Sequence, residues 1–268
     1  MPATTHPIRP ASEPWPRVAV RSVAALILRE IAQAGGRSAA GYLWTLVAPV
    51  AAIALLSVVL SLVLHDPPLG TSFALFYASG LLPFRLYTEM QAAAAAGPRL
   101  ARDLLAYPAM APIDTVLARA ILCVATQTVA AAAILAGLLV LTGAPVVPRP
   151  APLVAAFALA GLLGFGMGLL NAVAFDRFPG WQVAFGVLSR PLFLVSGVLW
   201  LPGDLPPAVR DVLLWNPLVH IVGLARSGLY SAYRADYAAP GLVAVVALAL
   251  CAAGLAALRL HGRRFAEG

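Results

Sequence analysis

A chain of 268 residues that is 61% hydrophobic, with a mean hydropathy of +0.88 and only 11% charged residues, is too apolar for a water-soluble domain, where about a quarter of residues carry charge. Its formal net charge is +7, and all eighteen basic residues are arginine. Without a lysine, a phosphate-binding loop of the form G-x-x-x-x-G-K-[ST] is excluded. The arginines lie beside apolar runs, so their counter-ion is a membrane surface and no nucleic-acid partner is expected.

Residues 1–16, "MPATTHPIRPASEPWP", hold five prolines and lack the continuous apolar stretch of a signal peptide; they read as a disordered cytoplasmic tail. The segment 17–38 follows. Val20, Val23, Ala24, Ile27, Leu28 and Ile31 recur at helical spacing over 17–34, with Arg17, Arg21, Arg29 and Glu30 elsewhere on the wheel. That pattern predicts a basic amphipathic helix in the cytoplasmic interface, ended by the glycines at 35–36.

A membrane domain is expected over 39–264. A hydrocarbon core of ~30 Å needs about 20 apolar residues per helix, and six stretches qualify: about 43–64, 71–96, 113–142, 151–175, 181–201 and 240–258. Arginine placement orients them. Arg9, Arg17, Arg21, Arg29, Arg37, Arg99, Arg102, Arg177, Arg259, Arg263 and Arg264 fall on the side of the termini, against Arg149, Arg210, Arg226 and Arg234 on the other. Both termini are therefore expected in the cytoplasm. The stretch 205–230 is apolar but interrupted by Pro206, Pro207 and Pro217, which predicts re-entrant helices before the last span. The expected class is an all-α membrane protein of six transmembrane helices with an N-terminal interface helix.

No nucleophile–base set, zinc motif or paired carboxylate is visible, so no catalytic residue and no metal site is expected. Cys123 and Cys251 read as small apolar fillers, and the four histidines are scattered. In the second span Phe73, Phe76, Tyr77, Gly80, Phe84, Tyr87 and Gln91 share one helical face. Such a face stacks on sugar rings or packs against neighbouring helices. Arg85 and Glu89 stand four residues apart and can pair. Arg190 lies near the middle of the fifth span, where a charge costs ~2.5–3.5 kcal/mol or more; it needs an anionic ligand or an internal partner, and Pro191 is expected to break the helix directly after it. Gly161, Gly164, Gly166 and Gly168 mark a close helix contact, either internal or between copies.

Between the second and third spans, "GPRLARDLLAYPAMAP" alternates leucines with Arg99, Arg102 and Asp103, predicting a short amphipathic helix over 98–107. The stretch "LLAYPAMAPIDTVLARAIL" (104–122), together with "LREIAQAGGRSAAGYLWTLVAPV" (28–50), "SGLLPFRLYTEM" (79–90), "FPGW" (178–181), "SRPLFLVSGVLW" (189–200) and "WNPLVHIVGLARSGLY" (215–230) in the same order, resembles the membrane subunits of type-2 ABC transporters that export capsular polysaccharide. Exporters of O-antigen or teichoic acid are the neighbouring alternative, a secondary transporter a remoter one.

The resemblance implies a homodimeric inner-membrane permease that passes lipid-linked polysaccharide from cytoplasm to periplasm. Separate ATPase subunits would bind ATP and magnesium, and this chain would hold no cofactor. Arg99, Leu100, Arg102, Asp103, Leu104, Leu105 and Tyr107 would couple to those subunits. Phe73, Phe76, Tyr77, Phe84, Tyr87 and Arg190 are the candidate substrate path. Asp114 and Arg119 would brace the joint, or else serve as helix cap and snorkelling cation. A periplasmic co-polymerase and outer-membrane export proteins are further implied partners. The chain departs from the pattern at Gly223 and Cys123, where glutamate is expected.

Overall fold

Prolines open most of the helices. A computed structural model of the chain describes residues 38–100 and 112–267, together with Leu26. Its long helices are α1 (Ser38–Ser61), α2 (Phe73–Leu100), α3 (Pro112–Thr142), α4 (Pro150–Arg177), α5 (Pro179–Val195) and α8 (Pro240–Glu267), with the short α6 (Pro207–Leu213) and α7 (Pro217–Leu229) before the last. Every helix from α3 onward begins at a proline, whose fixed φ suits the first turn and whose missing N–H has no partner there in any case. No strand occurs among the described residues. The tail 1–16 and the interface segment 17–38 lie outside the described residues, apart from Leu26, which is helical and buried, and Ser38, which opens α1.

Among the described residues, four helical stretches are long and apolar enough to cross a bilayer: Trp44–Ser61, Ile113–Thr142, Pro150–Arg177 and Pro240–His261. Together α6 and α7 count as a fifth if taken as one broken span, for they bend by 99° at the break. The two remaining sequence candidates differ for separate reasons. α2 is long but carries Arg85 and Glu89, and α5 has only 17 residues. The fifth stretch was expected to reach 201. It ends at Val195, because Ser196 leaves helical geometry and Gly197 turns the chain at φ +74°. Pro191 does not break α5; it sits inside the helix, which continues to Val195. Proline removes one backbone hydrogen bond, and membrane helices tolerate that loss where local adjustment completes the freed carbonyl.

α4 is the axle. It packs along α8 on one side and along α2 on the other, while α3 lies against α2 and α7 covers α4 and α2. The glycines make this possible. A Cβ on Gly164 would stand 2.5 Å from the carbonyl oxygen of Tyr87, and one on Gly168 would stand 2.6 Å from that of Gln91. On the opposite face, a Cβ on Gly166 would meet the backbone of Cys251 at 2.8 Å, and one on Gly254 the Cβ of Leu169 at 2.5 Å. The glycine stripe is thus an internal contact: backbones touch where any side chain would hold them apart. By contrast α5 buries no residue, and α1 leaves Trp44, Leu55, Val58 and Val59 exposed.

Replacing Gly164 or Gly168 with alanine forces α4 away from α2 and is expected to cost about 1–3 kcal/mol. In detergent the melting temperature should fall by several degrees. Gly186→Ala, where nothing lies within 4 Å of the new Cβ, should leave it unchanged.

Candidate functional site

The end of α5 and the start of α7 meet in a polar cluster within an otherwise apolar protein. Leaving the helix at Ser196 exposes carbonyls that no helical N–H reaches. Side chains complete them. The indole Nε1 of Trp200 donates to Leu194 O at 2.7 Å, and Asn216 Nδ2 donates to Val195 O at 3.0 Å. Asn216 also caps α7, its Oδ1 accepting from the Leu218 N–H at 3.0 Å, which is the usual role of asparagine before a helix-opening proline.

Arg226 completes the rest. It is 0% exposed, yet its guanidinium donates from Nη1 to Trp200 O at 2.9 Å and from Nη2 to Val198 O at 2.7 Å. Its carbon centre stands 4.1 Å from the centroid of the Phe76 ring, a cation–π contact strengthened by the absence of water. Around it, among the described residues, lie the phenols of Tyr77, Tyr230, Tyr233 and Tyr237 and no carboxylate. Tyr233 and Tyr237 share a hydrogen bond at 3.2 Å. In the loop before α8, burial with Tyr233 alongside pushes the Tyr237 phenol above its ordinary range, so it stays a neutral hydroxyl. At Gly223, where glutamate was expected, a Cβ would collide with that hydroxyl. The phenol occupies the space a side chain at 223 would need. His220 bridges the same corner: its Nε2 lies 2.8 Å from Leu214 O, and its Nδ1 lies 3.1 Å from Tyr237 O and 3.3 Å from the Ala239 backbone nitrogen.

The residues singled out from sequence fall into three groups. Phe76, Tyr77, Phe84 and Tyr87 are buried in the core, and Phe73 is half-buried. Phe76 and Tyr77 meet edge to face at 5.2 Å, and Phe84 meets Phe193 of α5 at 5.5 Å. Arg190 is apart from them, exposed on α5 and without an ion pair or hydrogen bond among the described residues. Midway along α2, Arg85 and Glu89 form the expected pair at 3.4 Å. Asp114, in the first turn of α3, is buried, and both it and Arg119 have interaction partners. Arg99 and Leu100 close α2, which makes the start of the expected 98–107 helix a continuation of that span; Arg102, Asp103, Leu104, Leu105 and Tyr107 lie outside the described residues.

Sequence reasoning missed Arg226 and its tyrosines. An arginine inside an apolar helix with no acid within two turns was the available signal.

The ABC-2 type transporter family model matches residues 21–230. The chain belongs to that family. Three relatives place it more finely among ABC-2 proteins. The polysialic acid transport protein KpsM of Escherichia coli is 32% identical over 240 residues, covering 89% of this chain and 92% of the relative. The capsule polysaccharide export inner-membrane protein CtrC of Neisseria meningitidis is 26% identical, covering 90% and 92%. The capsule polysaccharide export inner-membrane protein BexB of Haemophilus influenzae is 26% identical, covering 88% and 89%. Arg226, Phe76, Tyr77 and Tyr230 fall within the matched residues.

Arg226→Met removes two charge-assisted hydrogen bonds, each worth about 1.5–3 kcal/mol, and leaves the carbonyls of Val198 and Trp200 without donors. Hydrogen exchange of the backbone amides in 196–202 should accelerate about tenfold or more, while exchange in α4 stays at the wild-type rate.

Proposed function

We propose that this chain is the inner-membrane permease of an ABC exporter that moves lipid-linked capsular polysaccharide from the cytoplasm to the periplasm, powered by a separate ATPase subunit. The observation that carries the reading is a match over nine-tenths of the chain to proteins named for capsule polysaccharide export and polysialic acid transport. Those names favour capsule over O-antigen or teichoic acid.

The working unit is a homodimer with six crossings per protomer, α2 and α5 joining the four most apolar helices, both termini in the cytoplasm and α6–α7 re-entrant on the periplasmic side. α5 buries nothing in its own chain and α1 buries little, which fits faces turned toward a second protomer and the polymer between them. On that path Arg190 is the accessible cation for an anionic glycan, and Phe73 the accessible ring. Phe76, Tyr77, Phe84 and Tyr87 support the wall from behind. The segment 99–107 takes up the motion of the ATPase, with Arg99, Leu100, Arg102, Asp103, Leu104, Leu105 and Tyr107 as its contact set. ATP and magnesium belong to the partner. A periplasmic co-polymerase and outer-membrane proteins continue the route.

Two measurements test this. Replacing Leu104 and Leu105 together with Asp should abolish co-elution of the ATPase from solubilised membranes while the permease remains inserted. Co-elution at wild-type strength would overturn the coupling assignment. Arg190→Ala should lower polymer export about tenfold, the loss of one charge-assisted contact, with the dimer intact by size-exclusion chromatography.

A further inference from the structure

α3 and α4 are consecutive in sequence but scarcely touch. Both lean on α2 and leave between them an apolar groove of about 1020 Å³, lined by Leu117, Thr128, Ala132 and Leu139 of α3 and by Leu153 and Phe157 of α4. Thr128 is the one hydroxyl-bearing residue along it. From Leu117 to Leu139 the α3 wall runs about 33 Å at 1.5 Å per residue, close to the ~30 Å of a hydrocarbon core.

The mouth is chemically different. The connection from Thr142 to Pro150 crosses one end of the groove, and Pro148, Pro150 and Leu229 line it there. Between the two prolines stands Arg149, exposed and held in place. Its backbone N–H donates to Gly228 O at 2.6 Å, and its Nη2 donates to Ser227 O at 2.5 Å. The residue is exposed overall, and no ion pair from it to a carboxylate is made among the described residues. A fixed, exposed arginine at the end of two membrane-length helices sits at headgroup level, where phosphates are the available anions.

We propose that this groove is a binding site for an anionic glycerophospholipid, with its phosphate on Arg149 and an acyl chain laid between α3 and α4. The site is distinct from the polymer path and does not rest on the export reading. An apolar helix from another protein would fill the wall but leave Arg149 without an anion. A phospholipid meets both needs, charge at the mouth and hydrocarbon along the wall. The lipid then wedges α3 and α4 apart at a fixed distance.

The test is native mass spectrometry of the protein released from nanodiscs containing phosphatidylglycerol or phosphatidylcholine, with no polymer present. The wild-type chain should retain phosphatidylglycerol in preference to phosphatidylcholine. Arg149→Gln should weaken that retention about tenfold and erase the preference. Ala132→Phe with Ala136→Phe, both on the exposed side of α3, should fill the groove and reduce retention of either lipid while circular dichroism stays that of the wild type. Undiminished phosphatidylglycerol retention by Arg149→Gln would overturn the phosphate assignment. A photo-crosslinker at position 132 that captures a protein chain, a second copy or another membrane subunit, in place of lipid would overturn the occupant.

Discussion

Where water is absent, every carbonyl freed by a break in a helix must be given a donor by the protein itself, and this chain breaks its backbone between residues 195 and 217. Trp200, Asn216 and Arg226 supply the donors, serving Leu194, Val195, Val198 and Trp200 in turn. Burying an arginine without an acid beside it is costly. Two carbonyls and the face of Phe76 offset that cost, since a guanidinium is planar, forked and weakly hydrated. Because the same guanidinium touches α2 through Phe76 and the segment after α5 through its hydrogen bonds, it couples three parts of the protein in one contact.

The inner architecture follows a different rule. Hydrocarbon solvates an apolar side chain as well as protein does, so helices associate in membranes by shape and not by hydrophobic gain. α4 meets α2 and α8 through glycines on opposite faces, which brings three backbones to near contact. The flanking helices α5 and α1 bury much less. α5 and α1 turn most of their surface outward, and α3 stands off from α4.

Charge is distributed with the same economy. Arg85 and Glu89 neutralise each other within one helix, Arg226 is consumed by backbone, and Arg149 is half engaged by Ser227. Arg190 alone among these faces outward without a partner in the described residues. Its position on a helix that buries nothing is the reason its role belongs to whatever meets α5.

Much of this was readable along the chain. Helices appear where apolar runs were long enough, with starts set by prolines at 112, 150, 179, 207, 217 and 240, and the Arg85–Glu89 pair follows from helical spacing alone. These are local properties: length, φ restriction and a four-residue offset need no neighbour to define them. Membership of the ABC-2 family was legible for a related reason, since short motifs kept their order. What only the tertiary structure decided was which way each helix faces. The aromatic side of α2 turns inward, the glycines of α4 contact α2 and α8, Pro191 stays inside its helix, and Arg226 is buried against carbonyls 26 and 28 residues away. In a soluble protein the polar face of a helix announces its outside. In a bilayer both surroundings are apolar, so the periodicity of the sequence carries little information about facing, and packing geometry alone settles it.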